Sequence, residues 1–171
     1  YSILSEFGTM HMEFAYLSDI TGEPVFKTLV ERIRTVIHEK SQPGSLYPNF
    51  LHPITGNWGQ YHHSLGAFGD SFYEYLLKEW LRSGKTDTVS KEMFDQAAIA
   101  VENELVKTSS SGLIYLAEKI GGQLVHKMDH LACFAGGMYA LAAYEEKDEN
   151  SNLEICIGDS CKFNIGTQRF S

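Results

Sequence analysis

The helical character of this chain is clearest in the stretch 69–78, which reads Gly-Asp-Ser-Phe-Tyr-Glu-Tyr-Leu-Leu-Lys. Large apolar side chains recur every four residues in and just after it, at Phe72, Leu76 and Trp80. That spacing places them on one face of an α-helix. Ser71 and Glu74 have the spacing of a capping box, so the helix should begin at Asp70 or Ser71.

Helical patterns continue on both sides of this stretch. An upstream helix carries apolar residues at helical spacing until the turn that begins at Thr21, namely Phe7, Met10, Phe14 and Leu17. Further helices are predicted over residues 25–39, 89–106 and about 129–144. The sequence therefore predicts long helices joined by loops.

Two strand-like regions interrupt the helices. Residues 46–51 and 58–61 predict a hairpin, and residues 113–117 and 123–125 predict a second one around Gly121 and Gly122. The fold class expected from the residues is all-α with two surface hairpins. Stacked helical hairpins and a closed helical toroid both suit this order of elements.

The composition excludes two classes of partner. The chain has 171 residues and a formal net charge of −8, with no clustered lysines and arginines to neutralise phosphates, so we expect no nucleic-acid partner. No apolar run approaches the roughly 18–20 residues that a membrane span needs.

The chain contains three cysteines, Cys133, Cys156 and Cys161. An odd number fits either three reduced thiols in the cytosol or one disulfide and a spare thiol in an oxidising lumen. Composition alone favours the reduced thiols, because small secreted domains are usually richer in cysteine.

Two acidic residues are candidates for chemistry. Glu13 falls within the apolar arc of its predicted helix, where a carboxylate is costly unless it is paired or faces a polar cavity. Asp70 opens a helix, where it is either the N-cap or, if Ser71 takes that place, free to point elsewhere.

The histidines give a weaker signal. His126 and His130 have the i, i+4 spacing of two metal ligands on one helix face, but the glutamate of an HExxH motif is missing and Gly121-Gly122 places His126 on a hairpin. We therefore do not expect a zinc site there. A paired ligand role for His62 and His63 is equally improbable, since neighbours in a strand face opposite ways.

Four strings, in this order and at these separations, resemble the class I α-mannosidases of glycoside hydrolase family 47. They are Leu-Ser-Glu-Phe-Gly-Thr-Met-His-Met-Glu-Phe at residues 4–14, Tyr-Leu-Ser-Asp-Ile-Thr-Gly at 16–22, Gly-Asp-Ser-Phe-Tyr-Glu-Tyr-Leu-Leu-Lys at 69–78, and His-Lys-Met-Asp-His-Leu-Ala-Cys-Phe at 126–134. The resemblance covers nearly the whole chain and is weakest after Tyr144.

The resemblance implies an (α/α)7 barrel that removes terminal α-1,2-linked mannose from high-mannose N-glycans with inversion, using bound Ca²⁺. It makes Asp70 a catalytic carboxylate, and it places Glu13 and His130 in the substrate pocket. Such a domain is far longer than this chain, so residues 1–171 are expected to be the central part of one catalytic domain.

The other catalytic and metal-binding residues of the family are expected outside this chain. The proton-donor glutamate would precede Tyr1, and the general-base glutamate and the Ca²⁺-binding threonine would follow Ser171, so no metal ligand is expected here. The fragment alone should therefore be inactive.

The resemblance also predicts the cellular compartment of the intact protein. Endoplasmic-reticulum members of the family carry an arginine where this chain has Phe68, whereas Golgi members carry an apolar residue. The resemblance therefore implies that Phe68 is a substrate-binding residue and that the protein is of the Golgi type. The intact protein would then lie in the lumen of the secretory pathway, held by a membrane anchor outside this chain. A lectin-like relative in glycoprotein quality control, which binds such glycans without cleaving them, is the alternative.

The family has a disulfide at the position of Cys133, and Cys161 falls about where its partner should lie. Cys156 is the competitor. This pairing requires an oxidising lumen and reverses the preference drawn from composition.

Overall fold

The computed structural model describes residues 1–145. Six α-helices form most of this part, in chain order α1 Leu4–Phe7, α2 His11–Thr21, α3 Val25–Lys40, α4 Asp70–Arg82, α5 Thr88–Glu104 and α6 Phe134–Glu145. A 3-10 helix, His130–Cys133, precedes α6. The expectation of a helical protein is confirmed for these residues.

Seven short strands lie in the connections, namely β1 Ser2–Ile3, β2 Phe50–Leu51, β3 His62–His63, β4 Val106–Thr108, β5 Ile114–Leu116, β6 Glu118–Ile120 and β7 Gln123–Val125. All the pairings are antiparallel: β1 with β2, β4 with β5, and β6 with both β3 and β7. Each sheet is too small to form a core of its own, so the core is formed mainly by the helices.

The helices alternate in direction. A turn of three residues joins α2 to α3, and a short loop joins α4 to α5, as expected for antiparallel neighbours. Two longer connections, 41–69 and 105–133, carry most of the strands.

Helix α4 lies at the centre of the core. Its apolar face is buried as predicted, with Phe72 and Leu76 fully enclosed and Trp80 nearly so. The Asp87 side chain accepts a hydrogen bond of 3.0 Å from the Ser90 amide and caps α5, which packs its alanines against this face. Burying large side chains against small ones brings these two helices close together.

Several predicted boundaries are wrong. The first predicted helix is interrupted after Phe7, because the chain turns at Gly8, where a Cβ atom would lie 2.5 Å from the Phe72 ring. Helix α4 begins at Asp70, as predicted, but the capping box does not form, because Gly69 is the N-cap and Ser71 lies inside the helix. Helix α5 ends at Glu104, two residues earlier than predicted.

The strand pairing also differs from the prediction. Among the described residues, 46–51 and 58–61 are joined by a single antiparallel bridge, between Leu51 and Trp58. Strand β2 pairs with β1 instead, and the next strand, β3, pairs with β6. Strands β5 and β7 do not form one hairpin, because β5 pairs back to β4 and β7 pairs with β6. Residues 113–125 therefore belong to two hairpins, the first of which begins at Val106, which was assigned to a helix.

No helix in residues 1–145 is both long enough and apolar enough to cross a bilayer.

Candidate active site

Helices α2, α4 and α6 run in the same direction. Glu13 contacts Tyr75 while Asp19, farther along α2, contacts Arg82, so α2 and α4 progress together. Lys85, just after α4, pairs at 3.1 Å with Glu145 at the end of α6, so these two also end at the same side. His11, the first residue of α2, lies 3.7 Å from Glu79 in the last part of α4, so α2 crosses α4 and its start is offset along α4 from Asp70.

The three predicted pocket residues lie at or just before the starts of these helices. Asp70 is the first residue of α4, Glu13 is in the first turn of α2, and His130 lies in the 3-10 helix before α6. Their side chains make separate contacts, and none of the three lines the cavity described below.

Asp70 is half-buried, and its carboxylate accepts a hydrogen bond of 2.8 Å from the Ser71 amide. The loop before it is tight, since the amides of Gly69 and Asp70 both donate to the Gly66 carbonyl, at 3.3 and 3.0 Å. Asp70 is not the N-cap, because Gly69 holds that place. The N-terminal end of the helix nevertheless stabilises a negative charge on its carboxylate.

Two glycines allow this loop to pack closely. A Cβ atom on Gly69 would collide with the Ser64 carbonyl oxygen, and one on Gly66 would collide with the Cβ atom of Asp129. Asp129 in turn accepts a hydrogen bond of 2.8 Å from the Leu131 amide and starts the 3-10 helix. The residue next to His130 is therefore in direct contact with the loop that leads into Asp70.

The His130 side chain is 88% exposed, and Asp129 is 3.4 Å from its Nδ1 atom. His126 is occupied elsewhere, because its ring forms a hydrogen bond of 2.6 Å with the Tyr115 hydroxyl. Among the residues that the structure describes, no group of three or more histidines, cysteines or carboxylates could hold a metal ion. These residues therefore do not fit a Ca²⁺ site.

Glu13 is exposed. The apolar arc on which the sequence places it is therefore not buried at this position. The buried residues of α2 are His11, Ala15 and Ser18. The Glu13 carboxylate accepts a hydrogen bond of 2.5 Å from the Tyr75 hydroxyl, and this bond raises the pKa of Tyr75 to about 12. Sequence analysis missed Tyr75, because nothing local links it to Glu13.

Phe68 has a strained backbone, with φ at +77°, a conformation that is a true outlier for a bulky residue. The Ser5 amide donates a hydrogen bond of 2.9 Å to its carbonyl, and its ring lies 5.6 Å from that of Phe50. The ring remains 44% exposed. Backbone strain of this kind is found more often at functional sites than elsewhere, and here it lies two residues before Asp70.

Comparison with known proteins identifies the family. The sequence profile of Glycosyl hydrolase family 47 matches residues 1–162. This chain belongs to that family. Over 92% of its length it is 55% identical to mannosyl-oligosaccharide alpha-1,2-mannosidase IA of Drosophila melanogaster and 54% identical to mannosyl-oligosaccharide 1,2-alpha-mannosidase IA of Sus scrofa. It is 53% identical, over 86% of its length, to mannosyl-oligosaccharide 1,2-alpha-mannosidase IC of Homo sapiens.

This family 47 chain spans about a quarter of the length of these relatives, 24% in each case. Its fold resembles that of the alpha-1,2-mannosidase from Trichoderma reesei, with a TM-score of 0.83 over 95% of the chain and 34% of the fungal one. At 24% identity, this likeness shows the fold alone.

A buried polar cluster lies toward the other end of α4, and sequence analysis missed it. Arg82 donates two hydrogen bonds to Glu79, at 2.7 and 2.8 Å, and a third of 2.9 Å to Asp19. His11 lies 3.7 Å from the same glutamate. Arg34 donates to Ser90 at 2.6 Å, and burial lowers its pKa to about 10.

A polar cavity of about 700 Å³ adjoins this cluster and is lined by charges of both signs. Glu13, Asp70 and His130 do not line it. Asp70 and Arg82 stand at opposite ends of α4, about 18 Å apart at the helical rise, so Asp70 lies away from this cluster.

Cys133 is exposed and has no disulfide partner among the described residues. Cys156 and Cys161 both lie outside those residues. The Cys133–Cys161 disulfide therefore stays a prediction, as does the compartment that it requires.

Proposed function

We propose that the intact protein containing this chain hydrolyses terminal α-1,2-linked mannose from high-mannose N-glycans, with inversion. One observation carries the proposal: in a chain of family 47, Asp70 opens α4 after a tight loop, and Asp129, beside His130, packs against Gly66 of that loop.

The surroundings of Asp70 hold its carboxylate in place at the start of α4. The start of α4 stabilises its negative charge, and the Ser71 amide fixes one of its oxygens at 2.8 Å. An inverting glycosidase needs two carboxyl groups about 6.5–9.5 Å apart, to admit a water molecule on the face of the sugar opposite the leaving group. Asp70 supplies one carboxylate to this machinery, and the remaining acid and base are proposed to come from the longer protein.

Glu13 and Phe68 are suited to holding the sugar. An ionised carboxylate accepts hydrogen bonds from sugar hydroxyls, and Tyr75 fixes the direction of the Glu13 carboxylate through its own bond of 2.5 Å. The exposed Phe68 ring offers an apolar face to a neighbouring branch. His130, with its side chain open, supplies a further donor or acceptor.

The proposed architecture is part of an (α/α)7 barrel, with residues 1–171 as the central part of one domain. The likeness to the fungal enzyme supports it, as does the exposed apolar surface on α2 and α3, where Tyr16, Ile20, Val25 and Leu29 are each more than half exposed. Such residues are expected to be covered by neighbouring helices of the barrel. The fragment alone is accordingly proposed to be inactive.

Ca²⁺, the Golgi location and the membrane anchor are proposed on the family resemblance. We propose that the metal is held by residues that follow Ser171, as the resemblance implies. Phe68 in place of an arginine supports the Golgi over the endoplasmic reticulum.

The test is mannose release by the purified intact protein from a high-mannose N-glycan that carries α-1,2-linked ends. A matched glycan whose terminal mannoses are all α-1,3- or α-1,6-linked serves as the control. Mass spectrometry should show hexose loss from the first glycan only, and proton NMR should show β-mannose as the first product. The 171-residue chain should release none, and chelation of Ca²⁺ should abolish release by the intact protein. Binding without release would favour the lectin-like alternative, and equal trimming of both glycans would refute the linkage specificity.

A further inference from the structure

A buried carboxylate lies in the middle strand of the sheet formed by β3, β6 and β7. It belongs to Glu118, the first residue of β6, which is 6% exposed. Removing a charged group from water is costly, so a carboxylate buried to this degree needs partners of opposite charge or hydrogen-bond donors. The partners of Glu118 therefore indicate its role.

The two carboxylate oxygens contact side chains on both neighbours of β6. Oε2 lies 3.1 Å from Nε2 of His62 on β3, and Oε1 lies 3.7 Å from Nζ of Lys127, which follows β7. The register explains both contacts, because diagonal neighbours on one face of a sheet are within reach of long side chains. His62 is opposite Ile120, two residues along β6 from Glu118. Lys127 comes two residues after Val125, which is opposite Glu118. We call Glu118, His62 and Lys127 the Glu118 clamp.

The two segments that the clamp contacts lead into the predicted active site. Strand β3 is followed by the tight loop that ends at Asp70, and the chain after β7 runs into His130. These two stretches touch, since a Cβ atom on Gly66 would collide with the Cβ atom of Asp129. The Asp70 amide donates a hydrogen bond of 3.0 Å to the Gly66 carbonyl, so the loop residue that meets Asp129 also anchors Asp70. The Glu118 clamp therefore holds the near ends of two stretches whose far ends carry Asp70 and His130.

The histidine contact is the stronger of the two in the clamp. An ionised carboxylate only accepts hydrogen bonds, so Nε2 of His62 donates the bond of 3.1 Å. The side chains of His62 and Glu118 are 19% and 8% exposed, which limits screening by salt and water. The Lys127 side chain is 66% exposed, and an ion pair at such a site contributes little. His62 is therefore the partner whose loss should release the loop before Asp70.

We propose that Glu118 is a positioning residue for the active site. Through His62 and Lys127, its carboxylate holds the loop that leads into Asp70 against the segment that leads into His130, and so fixes the placement of the Asp70 carboxylate. A misplacement of about 1 Å at a reacting group can lower a rate about 100-fold, so a residue outside the pocket can control the rate. The role of Asp70 rests on the proposed function, whereas the clamp rests on the contacts of Glu118 alone.

Hydrogen exchange measured by mass spectrometry on the intact protein tests the clamp without any sugar. In Glu118→Gln, peptides covering residues 64–70 and 126–131 should exchange about tenfold faster, because the hydrogen bond from His62 is no longer charge-assisted. Peptides of α3, which carries none of the clamp residues, should exchange at the unmodified rate.

Matched variants separate the clamp from general loosening of the sheet. Glu104→Gln removes the ion pair with Lys119, the neighbour of Glu118 on the opposite face of β6, and should change exchange in residues 64–70 by about twofold at most. His62→Phe should reproduce the effect of Glu118→Gln, whereas His62→Gln keeps an N–H donor and should restore most of the protection. If Glu118→Gln does not fold, this pair of histidine variants decides the matter.

Steady-state kinetics then test whether the clamp acts through Asp70. In the otherwise unmodified protein, Glu118→Gln should lower kcat for release of α-1,2-linked mannose about tenfold. In an Asp70→Asn background, the same substitution should lower kcat by less than about twofold, because the carboxylate that it positions is already gone. A residue that merely stabilises the fold would lower kcat by the same factor in both backgrounds.

The clamp is refuted if Glu118→Gln leaves exchange in both peptides unchanged, or if Glu104→Gln accelerates it equally. Equal factors in the two kinetic backgrounds would show that Glu118 does not act through Asp70. Failure of the proposed function gives a different pattern, in which both peptides exchange faster in Glu118→Gln but the unmodified protein releases no mannose from glycans.

Discussion

Replacing Glu79 with glutamine should loosen the packing of α4 against α2. Glu79 is 2% exposed and accepts two hydrogen bonds from Arg82, with His11 3.7 Å away. Glutamine keeps the size of the side chain but removes the negative charge, so the partly exposed Arg82 guanidinium loses one of its two carboxylate partners. Removing one member of a buried pair is costlier than the pair itself is stabilising.

The magnitude follows from the pKa of Glu79. Burial alone would raise this pKa, but the Arg82 guanidinium and the nearby His11 ring outweigh burial and lower it from 4.5 to about 2. A pKa lowered in the folded state contributes stability that is fully present above about pH 4.5 and is lost as the pH falls through about 2. A shift of this size corresponds to about 3 kcal/mol. Because Arg82 keeps its bond of 2.9 Å to Asp19, we expect Glu79→Gln to cost about 2–3 kcal/mol.

Hydrogen exchange measured by mass spectrometry on α4 peptides of the intact protein would check this. At neutral pH, exchange in α4 should accelerate about 30- to 150-fold in Glu79→Gln. The control is Glu74→Gln, which removes an exposed i, i+4 pair with Lys78 and should change exchange by about twofold at most. After correction for intrinsic rates, less than half of the Glu79 effect should remain at about pH 3. Equal effects of the two variants, or an effect independent of pH, would refute the reasoning.

Three further predictions concern the candidate site and its surroundings. In the intact protein, Glu13→Gln should lower the pKa of Tyr75 from about 12 toward 10, because the hydrogen-bonded carboxylate that raises this pKa loses its charge. Ultraviolet titration of the tyrosinate measures the change, with Tyr75→Phe as the control that identifies the Tyr75 signal. Gly69→Ala should destabilise the fold by about 1–3 kcal/mol in thermal unfolding, because its Cβ atom would meet backbone that cannot move aside. Non-reducing peptide mapping of protein from the secretory pathway should find Cys133 linked to Cys161, and three free thiols would contradict the luminal assignment.

Local patterns predicted the helices well, because burial of α4 depends on the i+4 repeat of Phe72, Leu76 and Trp80. They failed where a contact depends on distant residues. Val106 was assigned to a helix, but its pairing with Leu116 starts a hairpin, and register across such a distance leaves no local trace.

In the candidate site, too, sequence patterns identified single residues but not the contacts between helices. The family strings contain Asp70, Glu13 and His130, and each of them lies at or just before the start of a helix. The burial predicted for Glu13 was wrong, because the arc on which it lies is itself largely exposed, with Ile20 at 62%. Tyr75 and the Glu79 cluster were missed, since their contacts join α2 to α4 and no spacing within either helix signals them.

Steady-state kinetics of Asp70→Asn in the intact protein would show whether Asp70 is a catalytic carboxylate of an α-1,2-mannosidase. The control is Asp95→Asn, which removes an i, i+4 ion pair with Lys91 on α5. If Asp70 takes part in proton transfer, kcat for release of α-1,2-linked mannose should fall by about 100-fold or more while glycan affinity changes little, and Asp95→Asn should match the unmodified protein. An Asp70→Asn protein that retains full kcat, or that loses affinity and kcat equally, would contradict the account.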